Sequence, residues 1–269
     1  MQSVIWAEPR NVTSINDCYF YHTMDIPDHG IVQGEWDLRG REAAYLGNVN
    51  LSGKRVLEVG TASGHLCFTM EKMGASVIAY DLSDKQQWDV VPYAGYDIKR
   101  YFAEHQPHIR RLNNSYWFAH RAFKSSAKVV YGSVYEIPDG IGDVDVCTFG
   151  SILLHLRDPF LALQRVSSHA REAVIVTEVA SGLGLRALAY KILTMTEALT
   201  GVRMIRFLPN AKKLSPLDSW WVLTPRLIAE FLKILGFPQT TVSFHRQPFQ
   251  NREIQLFTVV GRKERARTD

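Results

Sequence analysis

The chain has little cysteine: Cys18, Cys67 and Cys147 are the only three in 269 residues. An odd, widely spaced set excludes a disulfide framework and a cysteine zinc site, and points to a reducing compartment. Long apolar runs are missing too. None approaches the roughly 18 residues that a membrane span requires, so no membrane partner is expected. The opening MQSVIWAEPR has neither the basic nor the apolar stretch of a secretory signal, and a cytoplasmic location is expected. Neither sign of charge dominates, since 31 Lys and Arg against 27 Asp and Glu leave a net charge of +4. So small an excess makes nucleic acid the weaker class of partner. The basic run Arg262–Arg267 reads as a solvated tail. There is no internal repeat, no low-complexity segment, and no heptad pattern that would mark an oligomer.

What is present is ordinary globular material. Hydrophobic residues make up 46% and charged residues 22%, which excludes a disordered or collagen-like chain. A chain of this length buries a full core without staples. Short apolar runs alternate with helical patterns. The runs are Arg55–Val59, Ser76–Tyr80, Lys128–Tyr131, Val144–Phe149 and Ala173–Thr177, and the helices are His65–Met73 and one from about Pro159. Continuous apolar strands between helices indicate βαβ units and a parallel sheet buried on both faces. A short helix is predicted over Gly40–Leu46 and another over Leu185–Leu199. Thr224 caps a third helix that runs to Leu235, with Pro225 at its first position, and Gly236 stops it. Two strands, about 240–246 and 254–260, close the chain as a hairpin. The organisation is thus an N-terminal cap over 1–50 and a core over 51–180 carrying an insertion at 84–123. A helical cap insertion follows over 181–218, and 219–262 supply the last helix and the hairpin that complete the core.

The strongest signal is Leu57-Glu58-Val59-Gly60-Thr61-Ala62-Ser63-Gly64, which leaves a strand and opens a helix. Gly60 permits a tight turn, Gly64 permits close packing of the helix start, and the free amides there face a ligand. Asp81 ends the second strand, where a carboxylate can accept bonds from both ribose hydroxyls of a nucleoside. A dinucleotide fold calls for G-x-G-x-x-G. Here the spacing is G-x-x-x-G, with Glu58 two residues earlier. A carboxylate would repel a pyrophosphate and attract an ammonium, which favours S-adenosylmethionine over NAD.

The run 55–83 resembles the first motif and acidic ribose loop of class I S-adenosylmethionine-dependent methyltransferases, with Ala62 in place of the middle glycine. Alanine is expected to be tolerated there if its φ is negative. The layout is similar to the fold of that superfamily: an α/β, Rossmann-like, doubly wound sheet of seven strands with an antiparallel last strand, here joined by an N-terminal cap and helical insertions. Three pieces resemble, more narrowly, the tRNA wobble-uridine carboxymethyltransferase-like family. They are Gly150-Ser151-Ile152-Leu153-Leu154-His155-Leu156-Arg157-Asp158-Pro159, the segment Trp221–Gly236, and Gly34-Glu35-Trp36.

The resemblance implies that Glu58, Gly60, Thr61, Ala62, Ser63 and Gly64 surround the methionine portion of S-adenosyl-L-methionine. Asp81 would hold the ribose beside Leu82 and Ser83. Ser133 and Val134 would lie against the adenine, Gly150 beneath the sulfonium, and Trp36 and Arg41 where the chain closes over the cofactor. Family members that use the carboxylated cofactor place Tyr before the histidine of the 150–159 run. Leu154 stands there, which implies plain methyl transfer with S-adenosyl-L-homocysteine as product.

A hydroxyl or amide acceptor needs a general base, whereas an anionic one does not. His155 follows the fourth strand, where ligands collect in open α/β sheets, and imidazole suits base work. A purely structural histidine is the equal alternative. His22 lies in the cap near Asp25, which could orient it; a surface histidine is the competing reading. Glu178 ends the fifth strand, facing either the pocket or the frame. His105 and His108 lack partner ligands, and no metal is expected. Tyr21, Trp220 and Trp221 are the candidate acceptor contacts, with one indole stacking on the acceptor and the other in the core, or both in the core. The 84–123 insertion mixes aromatics with basic residues and is read as an amphipathic helical lid in preference to a base-stacking surface. The expected reaction is methyl transfer to an oxygen or nitrogen of a small-molecule acceptor, a secondary metabolite or sugar. A tRNA-uridine modifier and a non-catalytic cofactor-binding module are the alternatives.

Overall fold

The computed structural model describes residues 6–180 and 185–264. The far end of the basic run 262–267, from 265 on, lies outside the described residues. In chain order the strands and α-helices begin with a cap: β1 (Met24–Ile26), β2 (Gly30–Val32) and α1 (Glu42–Tyr45). The first βαβ units follow as β3 (Arg55–Val59), α2 (His65–Lys72), β4 (Ser76–Asp81), α3 (Ile98–Ala122) and β5 (Lys128–Tyr131). The chain then adds β6 (Val144–Gly150), α4 (Pro159–Ser167), β7 (Ala170–Val179) and α5 (Leu185–Thr200). It closes with β8 (Arg206–Phe207), β9 (Trp221–Val222), α6 (Pro225–Ile234), β10 (Gln239–Phe249) and β11 (Arg252–Arg262).

Seven strands form one sheet in the order β10-β11-β7-β6-β3-β4-β5. β3, β4, β5, β6 and β7 are parallel neighbours, and β11 runs antiparallel to both β7 and β10. The last strand is therefore inserted beside β7, as the family layout implies. The alternation of side chains along each strand divides the interior into two cores. Val56, Val77, Ala79, Val129 and Val146 face one way, against the N-terminal cap, α2 and the second half of α3. Leu57, Ile78, Tyr80, Val130, Cys147 and Phe149 face the other, against α4 and α6. Both faces are buried, which is why these strands read as unbroken apolar runs.

The capping residues act as their types dictate. The side chains of Asp158 and Thr224 each accept the backbone N–H three residues on, at the starts of α4 and α6, and a proline follows each. The terminal hairpin is longer than the sequence suggested, pairing from Gln239↔Arg262 to Phe249↔Arg252. Its tip extends to the cap, where Asp37 N–H donates to Pro248 O and Gln250 N–H to Glu35 O. No described helix is long and apolar enough to cross a membrane.

The stretch 84–123 differs from the lid expected. Most of it is the single 25-residue helix α3, the crossover between β4 and β5. Tyr116, Trp117 and Phe118 are buried in the core, so its second half is framework. Only the loop before it and its first turns stand beyond the sheet. The aromatics of the segment do different jobs: Trp88 in the loop and Tyr101 on α3 line the cleft, and Tyr116, Trp117 and Phe118 are core.

Candidate active site

The strand order reverses direction between β3 and β6, and open α/β sheets bind ligands outside the carboxyl ends of strands at such a point. A cleft of about 620 Å³ opens there. Its floor is Val59, Gly60, Asp81 and Ser133, which follow or end β3, β4 and β5. One wall is Leu82, Trp88, Tyr101, His105 and Ile109, from the loop after β4 and the first turns of α3. The facing wall is Ile152, His155, Leu156 and Arg157 after β6, with Asp218 from the connector.

The turn after β3 is tight. Gly60 has φ +81°, and a Cβ placed there would lie 2.4 Å from Ile152 Cγ2. Ala62 has φ +50°, not the negative value expected of an alanine replacing glycine. Its N–H donates to Asp81 Oδ2 at 2.7 Å, and Leu82 N–H donates to Oδ1 at 2.7 Å. The left-handed turn at Ala62 thus aims an amide at the acidic end of the neighbouring strand. Burial raises the Asp81 carboxyl to about 6 against these two bonds.

Glu58 is buried, and desolvation pushes its carboxyl up to about 8. Thr61 Oγ1 donates to its Oε2 at 2.6 Å, and the negative charge of Asp81 adds to the rise. Glu58, Gly60, Thr148 and Gly150 face a cavity of only about 10 Å³, closed by His22 and Tyr45. Such a space is about one water molecule in size. A second small cavity is bounded by Tyr21, His22, Trp36, Tyr45, Gly150 and Ser151. A ligand group larger than this that reaches Glu58 needs its lining to move, and Val59 and Gly60 are shared with the large cleft.

The cap residues are fixed among themselves. Trp36 Nε1 donates to Tyr21 OH at 3.2 Å, and its ring lies 4.6 Å from that of Phe249. Ser63 Oγ accepts from His22 N–H at 3.2 Å, tying the cap to the glycine turn. The His22 ring is buried beside His65, and desolvation together with that neighbour lowers its pKa to about 3. A histidine so weakly basic is a poor proton acceptor at neutral pH. It is also outside the large cleft, and Asp25 points to solvent from β1. The sequence reading of His22 as a surface histidine or an Asp25-oriented base is corrected on both counts. Arg41 is likewise not at the cleft: its guanidinium pairs with Glu253 at 3.1 Å and bonds Arg246 O, across to the hairpin.

His155 is at the cleft, at the end of a 3₁₀ turn, Leu153–His155. Its Nδ1 lies 2.5 Å from the carbonyl oxygen of Asp218. A carbonyl only accepts, so Nδ1 carries the proton and the Nε2 lone pair is left for chemistry. Glu178 sets that turn: buried, with its carboxyl raised to about 8 by desolvation, it accepts from Leu153 N–H at 2.7 Å. Glu178 is thus frame and not pocket.

Neither indole of the Trp220-Trp221 pair lines the large cleft. Trp220 packs with Val91 and Tyr93 beneath the Arg157 guanidinium, and Trp221 Nε1 donates to Leu156 O at 3.0 Å. Trp220 is buried and Trp221 half-buried, and neither stands on the cleft wall. Ser133 and Val134 line the cleft, whereas Ser83 does not; its Oγ accepts from Lys85 N–H within its own loop. Sequence reasoning missed Tyr135 and Asp89, also at the cleft, where the Tyr135 hydroxyl donates to Asp89 Oδ2. It also missed the pair Tyr101–His105, whose rings stack at 3.9 Å. Their i, i+4 spacing at the start of a helix was the available signal.

No protein-family model matches the chain, and no curated protein matches it. Solved structures do. A Bacillus halodurans protein assigned as a methyltransferase superposes with a TM-score of 0.52 at 11% identity, over 84% of this chain and 99% of that one. The 1,6-didemethyltoxoflavin-N1-methyltransferase of Burkholderia thailandensis, solved with 1,6-didemethyltoxoflavin and S-adenosylhomocysteine, scores 0.49 at 16% identity over 85% and 78%. Magnesium protoporphyrin IX methyltransferase of Synechocystis, with S-adenosylhomocysteine, scores 0.46 at 14% identity over 81% and 79%. What the first of these likenesses shows is a shared fold, the Rossmann-like sheet of the methyltransferases.

Proposed function

We propose that the chain is a methyltransferase that uses S-adenosylmethionine and acts on an oxygen or nitrogen of a small-molecule acceptor, a secondary metabolite or sugar. The observation that carries this reading is the pair of carboxyls, the buried Glu58 and the half-buried Asp81, on adjacent strand ends at the reversal of the sheet. Glu58 has no cationic partner among the described residues, although one oxygen is satisfied by Thr61. An ammonium group is the ligand that such a carboxyl lacks. Asp81 keeps lone pairs free on both oxygens after its two amide bonds, which suits a ribose diol. Glu58, Gly60 and Gly150 would hold the methionine end, Asp81 the ribose, and Ser133 with Val134 the adenine.

The cofactor, when bound, supplies an electrophilic methyl group on sulfur. The chain supplies position and dryness. The tie between Nδ1–H and the Asp218 carbonyl fixes the His155 ring, and Nε2 is the atom to receive a proton from an acceptor hydroxyl. A cleft of about 620 Å³ lies within the usual range for small-molecule sites. Its wall of Trp88 and the Tyr101–His105 stack suits a flat acceptor. The narrower likeness to wobble-uridine modifiers rests on the sequence runs alone.

Thermal unfolding with S-adenosylhomocysteine tests the reading. At a hundredfold excess over its Kd the ligand stabilises the fold by about 2.7 kcal/mol, a rise of several degrees for a domain of this size. NAD should leave the midpoint where it is. No shift with millimolar S-adenosylhomocysteine, or a shift with NAD instead, would count against the assignment.

A further inference from the structure

Helix α5 is apolar on two opposite faces. Tyr190, Leu193 and Glu197 point inward and are buried. Opposite them Leu188, Ile192, Met195 and Leu199 form one stripe, exposed by 54%, 58%, 65% and 78%. Their spacing of i, i+4, i+7 and i+11 keeps all four on a single ridge about 16 Å long. The connector beyond it adds Val202 and Phe207, also more than half exposed. Eight of the thirteen large apolar side chains exposed among the described residues fall between 188 and 214. A helix that is apolar all round ordinarily lies buried, and a contiguous exposed apolar patch marks a surface of interaction.

The charge of the same segment identifies what it meets. Between 188 and 214 stand five cations, Lys191, Arg203, Arg206, Lys212 and Lys213, and one acid, the buried Glu197. This tenth of the chain has a net charge equal to the +4 of the whole protein. Arg203 is paired with Glu230 at 3.6 Å, and Lys212 and Lys213 are exposed. In a two-fold dimer the patch would face its own copy, setting like charges against each other. An apolar helical ridge flanked by basic residues is the pattern of helices that lie in the interface of an anionic bilayer.

We infer that α5 and the connector to Leu214 form a docking face for an anionic lipid membrane, on which the protein sits without crossing. The apolar ridge enters the boundary between headgroups and acyl chains, and the lysines and arginines meet the anionic headgroups. Such a face crosses nothing, and it goes beyond the sequence expectation of no membrane partner, which rested on spanning segments. The inference is independent of the activity proposed above and stands or falls without it.

The test is flotation of the purified full chain with vesicles. One set contains equal parts phosphatidylcholine and phosphatidylglycerol, and the other phosphatidylcholine alone. The protein is expected to float with the first set, to float poorly with the second, and to be released by added salt. Ile192→Glu/Leu199→Glu changes only exposed positions, so its melting point should match the parent while flotation is lost. Each basic side chain near the surface is worth roughly a fivefold change in partition. Lys212→Gln/Lys213→Gln should therefore lower the partition coefficient roughly thirtyfold. Failure of the folded parent to float with anionic vesicles overturns the inference, as does flotation that the Glu variant retains. Concentration-dependent dimers, or a tight complex with a protein partner, that the Glu variant abolishes in a chain that ignores vesicles would give the face to protein and overturn it too.

Discussion

Glu58 provides the sharpest test, because its ionisation and the binding of an ammonium ligand are the same event. Burial and the charge of Asp81 hold its carboxyl at about 8 in the free protein. At pH 7 roughly one molecule in ten then has Glu58 ionised, since each unit of pKa is a factor of ten in that ratio. A ligand ammonium selects the ionised form, so the apparent affinity is reduced by the fraction that is competent. The apparent Kd of S-adenosylhomocysteine should therefore fall as pH rises from 6 to 8, by roughly two- to sixfold between pH 6 and pH 7 if the neutral form binds 1.5–3 kcal/mol more weakly, and level above the carboxyl's pKa. Binding near neutral pH should release close to one proton. Calorimetry in two buffers of different ionisation enthalpy measures both quantities. Glu58→Gln keeps the shape and the Thr61 contact but cannot ionise. Its affinity should vary no more than about twofold across this window, through Asp81 alone, and at pH 8 lie at least about sixfold below the parent, given 1.5–3 kcal/mol for a hydrogen bond to a charged group. An unaltered pH slope in Glu58→Gln, or a parent affinity that is flat from pH 6 to pH 8, would refute the reasoning.

Other expectations follow from the same geometry. Glu178 and Glu58 both have folded pKa values above those of ordinary carboxyls, so the native state binds more protons than the unfolded chain between about pH 4.5 and 8. Between about pH 6.5 and 8, above the range in which the depressed His22 opposes them, the ligand-free protein should accordingly lose stability as pH rises; Glu178→Gln should flatten the slope of melting point against pH there. Ala62→Gly relieves a left-handed alanine and should raise stability by about 1 kcal/mol, two to four degrees in the melting point for a domain of this size. His155→Ala should lower kcat by about 10²–10⁴-fold if the acceptor is a hydroxyl. The affinity for S-adenosylhomocysteine should be unchanged in that variant; a normal kcat with a raised KM would make His155 a positioning residue only.

The fold and the glycine turn were legible in the sequence because both are written in short-range patterns. Apolar runs of strand length between amphipathic stretches imply a parallel sheet regardless of what packs on it. Glu58, Gly60, Gly64 and Asp81 announce themselves because a turn that brings backbone to a ligand tolerates few residue types. The caps at Asp158 and Thr224 belong to the same class, decided within three residues of chain.

What only the tertiary structure decided depends on contacts between distant residues. Tyr101 and Tyr116 lie on one helix with similar neighbours, yet one lines the cleft and the other is core, because the sheet ends partway along α3. Arg41 seemed available to the cofactor until Glu253, more than 200 residues away, claimed it. His22 and Glu178 changed roles for the same reason: a histidine sealed beside another histidine loses its basicity, and a carboxyl held by the Leu153 amide becomes part of the frame. The sign of Ala62 φ was also long-range, since the amide it turns is held by Asp81 on the neighbouring strand. Local sequence determines which element each residue joins; the desolvation and the partners that set a side chain's chemistry exist only once the elements have packed.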